Sequence, residues 1–84
     1  MKHVEIYTTR YCWYCRQAKA LLERKGVAYQ EHDASAKPEL REEARRRSGR
    51  HTVPQVFIAG EAVGGYDDLA ALDAAGELDA KLAD

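Results

Sequence analysis

The chain has 84 residues, of which 13 are Lys or Arg and 14 are Asp or Glu, so its formal net charge is −1. This balance excludes the broad basic surface that is typical of proteins that bind nucleic acids or acidic membranes. No apolar run reaches the length of a membrane span, and the first residues lack the apolar segment of a signal peptide. We therefore expect one cytoplasmic domain, residues 1–84, with neither nucleic acid nor membrane as a partner.

The first third of the chain predicts a strand, a helix and a second strand. Val4-Glu5-Ile6-Tyr7 alternates apolar and polar residues, which predicts a strand over residues 3–8. Apolar residues then recur at helical spacing, which predicts a helix over about 13–25 that Gly26 ends. Alternation resumes over 27–32 and predicts a second strand. It should run parallel to the first, because a helix crosses between them.

The rest of the chain predicts a helix, a hairpin and a last helix. The second helix should occupy about 37–47, and Ser48-Gly49 should end it. A short apolar strand at 55–58 should pair through the turn Ala59-Gly60-Glu61 with a strand that begins at Ala62. The resulting order of elements is β-α-β-α-β-β-α.

The third helix should open at Tyr66, just after Gly64-Gly65. We expect it to carry its apolar residues inward and to be interrupted by Gly76, with a final turn held by two leucines. The inward residues are Leu69, Leu72 and Ala75, and the two leucines are Leu78 and Leu82.

The only two cysteines, Cys12 and Cys15, stand three residues apart at the start of the first predicted helix. Without a secretory signal, such a pair is typical of redox chemistry rather than of a structural disulfide. The free N–H groups of Tyr14 and Cys15 should bond the Cys12 sulfur, and Arg10 and Arg16 could add positive potential. The helix dipole alone supplies about 0.3–1 kcal/mol, which is less than one pKa unit. We predict that Cys12 is the nucleophile and that buried Cys15 resolves.

Three separated stretches resemble one known family. Cys12-Trp13-Tyr14-Cys15, Thr52-Val53-Pro54 and Gly64-Gly65-Tyr66-Asp67-Asp68-Leu69 are similar to the active site, T-V-P loop and G-G-x-D-D-L turn of glutaredoxins. The likeness covers almost the whole chain and is closest to the bacterial dithiol form, the glutaredoxin 3 type. It implies a thioredoxin-like α/β fold, in which a four-stranded mixed sheet of order 2-1-3-4 is flanked by three helices. It also implies a cis peptide bond before Pro54.

The resemblance implies a glutathione-dependent thiol–disulfide oxidoreductase that acts through Cys12 and Cys15. Its substrates would be protein disulfides and protein–glutathione mixed disulfides, with ribonucleotide reductase among the partners of the family. The enzyme would be a monomer that uses glutathione as its reductant and needs no metal, because thiol–disulfide exchange requires none.

The resemblance also implies where glutathione binds. The Val53 backbone would hold its cysteine amide, the N–H groups of Asp67 and Asp68 its γ-glutamyl carboxylate, and the Asp68 side chain its ammonium. An alternative is that these aspartates only cap the third helix. The full set implied is Tyr14, Thr52, Val53, Pro54, Gly65, Tyr66, Asp67 and Asp68.

Two positions depart from the pattern of the family. Thr9 stands where many relatives have a lysine that contacts the glycyl carboxylate of glutathione, so Arg10 or Arg50 could supply that cation. Trp13 stands where the commonest motif has proline. Its ring could cover the thiol or could dock protein substrates.

Two other functions stay open at the level of sequence. The protein could carry an iron–sulfur cluster between two chains and two glutathiones, with Cys12 as a ligand. It could also be a redoxin that thioredoxin reductase serves. His3, His32 and His51 show no zinc-ligand spacing to the cysteines.

Overall fold

A computed structural model describes residues 1–84 and contains four strands and four helices. The elements in chain order are β1 (Val4–Thr8), α1 (Trp13–Arg24), β2 (Gln30–Asp33), α2 (Pro38–Ser48), β3 (Gln55–Ile58), β4 (Glu61–Gly64), α3 (Tyr66–Ala74) and α4 (Leu78–Leu82). None of the helices combines the length and the apolar character that crossing a membrane requires.

The four strands form one mixed sheet in the order β2-β1-β3-β4. Strand β1 runs parallel to β2 and antiparallel to β3, and β3 pairs antiparallel with β4. The predicted strand order is therefore confirmed. Because β1 lies in the middle of the sheet, the loop that follows it emerges beside the loop that precedes β3, and this neighbourhood becomes the site.

The two faces of the sheet are covered by different helices. One face packs against α1, α3 and α4 through a cluster of eleven buried residues: Val4, Ile6, Ala18, Leu21, Leu22, Val27, Val56, Ile58, Leu69, Leu78 and Leu82. The other face packs against α2 through Tyr7, Ala44 and Phe57. Because side chains alternate along a strand, Val4 and Ile6 enter the first cluster and Tyr7 enters the second.

The second strand is shorter than the sequence predicted. It begins at Gln30, not at Val27. Val27 is buried, but its N–H donates to the carbonyl of Leu22 at 3.0 Å and so belongs to the end of α1. Val27 therefore fills the core without joining the sheet, whereas Ala28 is exposed.

The C-terminal segment forms a fourth helix where the sequence predicted a final turn. Gly76 has a φ of +73°, which glycine adopts easily, and lets the chain leave α3 and enter α4. Leu78 and Leu82 are buried as predicted. Ala75 is exposed, so its predicted inward position is wrong, because α3 ends at Ala74 and Ala75 is its C-terminal cap.

Candidate active site

Cys12 is the N-cap of α1, and Cys15 lies one turn further along the helix. The backbone of Cys12 is extended, and its Sγ accepts a hydrogen bond from the Cys15 N–H at 3.1 Å. Cys15 is 2% exposed, whereas Cys12 is only partly buried, and a disulfide joins them. The expected bond from Tyr14 is not formed, since Cys15 occupies the third helical position that an N-cap side chain reaches.

The start of α1, with its two cysteines, forms one wall of the site. The loop before β3 forms a second wall beside it. The Val53–Pro54 peptide bond is cis, as the resemblance implied, and the Val53 carbonyl oxygen lies 3.9 Å from Cys12 Sγ. Thr52 is exposed and Pro54 is buried. Buried Gln55 donates through Nε2 to the carbonyl of Thr52 at 3.0 Å and so fixes the loop. Gln55 was missed from sequence, although a glutamine that opens an otherwise apolar strand is a usable signal.

The N-terminus of α3 forms the third wall. Asp68 Oδ2 accepts the Gly65 N–H at 3.0 Å, so Asp68 caps the start of α3. The same oxygen accepts a 2.7 Å bond from Arg50 Nη1. The Arg50 guanidinium, followed by the Gly65 amide, holds the pKa of Asp68 below its usual value. The Asp67 side chain is exposed to solvent.

Three exposed aromatic residues flank Cys12 in the chain. Tyr14 stacks on Tyr66 with the ring centroids 6.4 Å apart and the planes at 29°. Tyr11, Trp13 and Tyr14 are 88%, 64% and 57% exposed. The Trp13 ring is therefore mostly open to solvent.

A cleft of about 1000 Å³ lies on the other side of the cysteine loop, between that loop and α2. Thr9 and Arg10 line this cleft. Arg41 also lines it, and its guanidinium donates to the carbonyl of His51 at 3.1 Å. Arg41 was missed, because nothing in the sequence distinguishes it from the other charged residues of α2. Arg50 does not line this cleft and lies at the N-terminus of α3 instead.

The histidines lie apart from the cysteines. His32 lies 3.1 Å from Glu5 in the sheet, and His51 lines the cleft. No group of three or more His, Cys, Asp or Glu side chains is placed to hold a metal ion.

Comparisons with known proteins give one family. The family model named Glutaredoxin matches residues 4–63. A protein of Pseudomonas aeruginosa named Glutaredoxin is 56% identical over 82 residues, which are 98% of this chain and 98% of that protein. Glutaredoxin 3 of Escherichia coli strain K12 is 56% identical over 79 residues, 94% of this chain and 95% of that protein.

Solved structures agree with the sequence matches. The solution structure of glutaredoxin from Brucella melitensis is 57% identical, with a TM-score of 0.86 over 98% of this chain and 89% of that one. The crystal structure of a buckwheat glutaredoxin–glutathione complex is 27% identical, with a TM-score of 0.89 over 96% of this chain and 76% of that one.

Proposed function

The chain belongs to the glutaredoxin family of glutathione-dependent thiol–disulfide oxidoreductases, and we propose that Cys12 is its nucleophile and Cys15 its resolving thiol. One observation carries this assignment. Cys12 is only partly buried and its Sγ accepts a helix N–H at 3.1 Å, while Cys15 is 2% exposed. A hydrogen bond to the sulfur favours the thiolate, which is the reactive form.

In the monothiol route, the Cys12 thiolate attacks the glutathione sulfur of a protein–glutathione mixed disulfide. A bond forms between Cys12 and glutathione, the bond to the substrate breaks, and the substrate leaves as a thiolate that takes a proton from water. A second glutathione thiolate then attacks the glutathione sulfur, releases Cys12 and leaves as glutathione disulfide.

In the dithiol route, Cys12 attacks a protein disulfide and forms a mixed disulfide with the substrate. The Cys15 thiolate then attacks Cys12 Sγ and releases the second substrate thiol. The product is the Cys12–Cys15 disulfide, which is the state of the present structure. Two glutathiones reduce it and leave as glutathione disulfide, so the electrons balance.

We propose that glutathione lies across the three walls, with its sulfur at Cys12. Val53, Thr52 and Pro54 would hold its cysteine through backbone bonds, as an added strand pairs with an edge. The free amides of Asp67 and Asp68 would receive the γ-glutamyl carboxylate, and the Asp68 side chain its ammonium. The stacked pair Tyr14–Tyr66 and the backbone of Gly65 would line the groove between them. The glutathione complex of the buckwheat relative supports this assignment.

The position of each cation favours one end of glutathione. Arg10 and Arg41 line the cleft beside Thr9, where the glycyl carboxylate would lie, and both can pair with it. Arg50 is bonded to Asp68, so it belongs with the γ-glutamyl end. We therefore propose that Arg10 and Arg41 replace the lysine of other glutaredoxins.

We further propose a monomer that works in the cytoplasm on protein disulfides and glutathionylated proteins, with ribonucleotide reductase as a candidate. Both cysteines and all three walls come from one chain, so the chemistry needs no second copy. The glutathione pool that would regenerate Cys12 is kept reduced in the cytosol.

The decisive experiment supplies the enzyme with one reductant at a time. Turnover of a small glutathione mixed disulfide should proceed with glutathione and glutathione reductase and should not proceed with thioredoxin reductase alone. Turnover with thioredoxin reductase alone, and none with glutathione and glutathione reductase, would show that the protein is a redoxin served by thioredoxin reductase. Fluorescence of Trp13, the only tryptophan, should report opening of the adjacent disulfide.

A further inference from the structure

The exposed large apolar side chains of this protein are concentrated around one sulfur. There are four of them in the chain, Met1, Tyr11, Trp13 and Tyr14, and all but the N-terminal methionine lie within two residues of Cys12. Single exposed apolar residues are normal on a protein surface, but three within four consecutive positions beside a reactive cysteine favour an interaction site. Tyr14 already has a packing partner within the molecule, because its ring stacks on Tyr66. Tyr11 and Trp13 stack on no other ring of the molecule.

Tyr11 also holds a backbone conformation that a tyrosine does not favour. Its φ is +61°, in the left-handed region that glycine adopts easily and bulky residues rarely do. Its side chain is 88% exposed, so packing within the molecule does not offset this strain. Strained residues of this kind cluster at binding and catalytic sites.

Arg16 extends this surface along α1. It lies three residues after Trp13, and residues at this spacing are neighbours on one face of a helix. Arg16 is exposed and takes part in none of the ion pairs of the molecule. No acidic residue occurs between Thr8 and Gln17, so its charge is not locally neutralised.

We propose that Tyr11, Trp13 and Arg16 form a docking face for protein substrates whose reactive cysteine is flanked by apolar and acidic residues. The apolar residue would pack on the two rings, and the acidic residue would pair with the Arg16 guanidinium, which binds carboxylates well. The inference rests on the proposed function, because the substrate cysteine must reach Cys12. It goes further by assigning a charge preference to the protein substrates.

The test uses two glutathionylated peptides that differ only in charge. Each carries one cysteine and the same leucine, flanked by glutamates in one peptide and by lysines in the other. We expect kcat/KM for the acidic peptide to exceed that for the basic peptide by about tenfold at low salt. The ratio should shrink at high salt, because salt screens exposed charges.

Three variants separate docking from chemistry. Arg16→Gln should reduce the acidic-to-basic ratio, and a ratio taken within one variant is insensitive to any change in the Cys12 thiolate. Arg24→Gln, at the other end of α1, is the matched control and should leave the ratio unchanged. Tyr11→Gly removes a ring while accepting the positive φ. Tyr11 also lines the cleft beside Thr9, so Tyr11→Gly should lower kcat/KM for the acidic peptide by a larger factor than kcat/KM for the small mixed disulfide.

A binding measurement keeps the inference independent of turnover. Acidic and basic peptides without cysteine are titrated into the oxidised protein, and Trp13 fluorescence is followed. Tighter binding of the acidic peptide supports the docking face. Equal binding of both peptides, or an acidic-to-basic ratio that Arg16→Gln leaves unchanged, overturns it. Absence of turnover with the small mixed disulfide contradicts the proposed function instead.

Discussion

At the scale of single residues, the two cysteines differ because one lies at the end of a helix and the other inside it. Cys12 is the N-cap and its Sγ accepts the Cys15 N–H in the disulfide, and the same bond would favour the Cys12 thiolate once the pair is reduced. Cys15 is buried and donates that N–H, so its own sulfur gains nothing from the helix end. Access and ionisation therefore favour the same residue.

The two thiols should be separable by substitution. Cys15→Ser should keep turnover of glutathionylated substrates and lose reduction of protein disulfides, because only the dithiol route needs a resolving thiol. Cys12→Ser should lose both activities. Both rates can be followed as NADPH oxidation in the coupled assay. In the reduced wild type, alkylation at mildly acidic pH should modify Cys12 first, and equal labelling of both cysteines would contradict the assignment.

Asp68 should affect affinity for glutathione more than turnover. Asp68→Asn removes the anion proposed to bind the ammonium, so KM for glutathione should rise by about fivefold to tenfold. Exposed Glu61 makes no ion pair, so Glu61→Gln is the control, and an unchanged KM for Asp68→Asn would exclude the pairing. The pKa of Asp68 lies below its usual value of 3.8. The Asp68 carboxylate should therefore stay charged above pH 3.8, and its contribution to glutathione binding should be lost only as pH falls through the lowered pKa.

At the scale of elements, the start of α3 depends on the glycine that ends β4. Gly64 is buried with a φ of +117°, and a Cβ built there would lie 2.4 Å from Asp68 Oδ2. The missing side chain therefore makes room for the capping carboxylate. At Gly65, by contrast, a Cβ would meet only the Pro54 carbonyl at 3.4 Å. Of these two glycines, it is therefore Gly64 whose missing side chain makes room for Asp68.

Gly64→Ala should disturb both the helix cap and the glutathione site. We expect a loss of about 1–3 kcal/mol in the free energy of unfolding, from backbone strain and the displaced cap, with a higher KM for glutathione. Gly76→Ala is the matched control, since Gly76 also has a positive φ but open space around it. It should lose about 1 kcal/mol and leave KM unchanged. Urea unfolding and the coupled assay measure the two effects.

At the scale of the whole molecule, one arginine joins α2 to the sheet. Arg47 binds both carboxylate oxygens of Glu5 at 3.0 Å and donates to the Tyr7 hydroxyl at 2.7 Å. Its guanidinium lies 4.0 Å from the centre of the Phe57 ring. The hydrogen bonds from Arg47, and after them the hydrogen bond with His32, lower the pKa of Glu5 to about 2 against the opposing effect of burial. Of the three consecutive arginines Arg45-Arg46-Arg47 in α2, Arg47 therefore acts as a structural clamp that holds the helix to the sheet, and the run also supplies solvated charge.

Removing the clamp should destabilise the protein in a pH-dependent way. Arg47→Met leaves Glu5 without its main partner and should cost about 2 kcal/mol in the free energy of unfolding at pH 7. The pKa of Glu5 is depressed on folding, so its contribution is complete above pH 4.5 and is lost as pH falls toward 2. The difference between wild type and variant should accordingly shrink across that range in urea unfolding.

Arg46→Met is the control for the clamp. Arg46 is exposed and has no acidic partner, so its loss should change stability by about 0.5 kcal/mol or less. An equal effect of the two substitutions would show that Arg47 contributes no more than a surface charge.

The sequence by itself determined the sheet order through its resemblance to glutaredoxins. It determined the start of α1 through the helical spacing of the apolar residues that follow Cys12. A helix start depends on residues that are adjacent in the chain, so Cys12 could be assigned to its N-terminus without coordinates. The periods of the apolar residues located most elements within a few residues. They gave the wrong element at Val27, where a strand was predicted. Val27 is buried in the core, but its backbone N–H bonds to the end of α1 and not to the sheet.

Only the tertiary structure decided which charged side chains meet. Arg50 and Asp68 are 18 residues apart and pair at 2.7 Å, and Arg10 and Arg41 line the same cleft. Sequence spacing carries no information on such pairs, because long side chains on different elements meet only after the sheet and helices are packed. The support of the Thr52 loop by Gln55 and the room that Gly64 leaves for Asp68 are of the same kind. The identity of the reactive sulfur is local, but the groove around it is a product of packing.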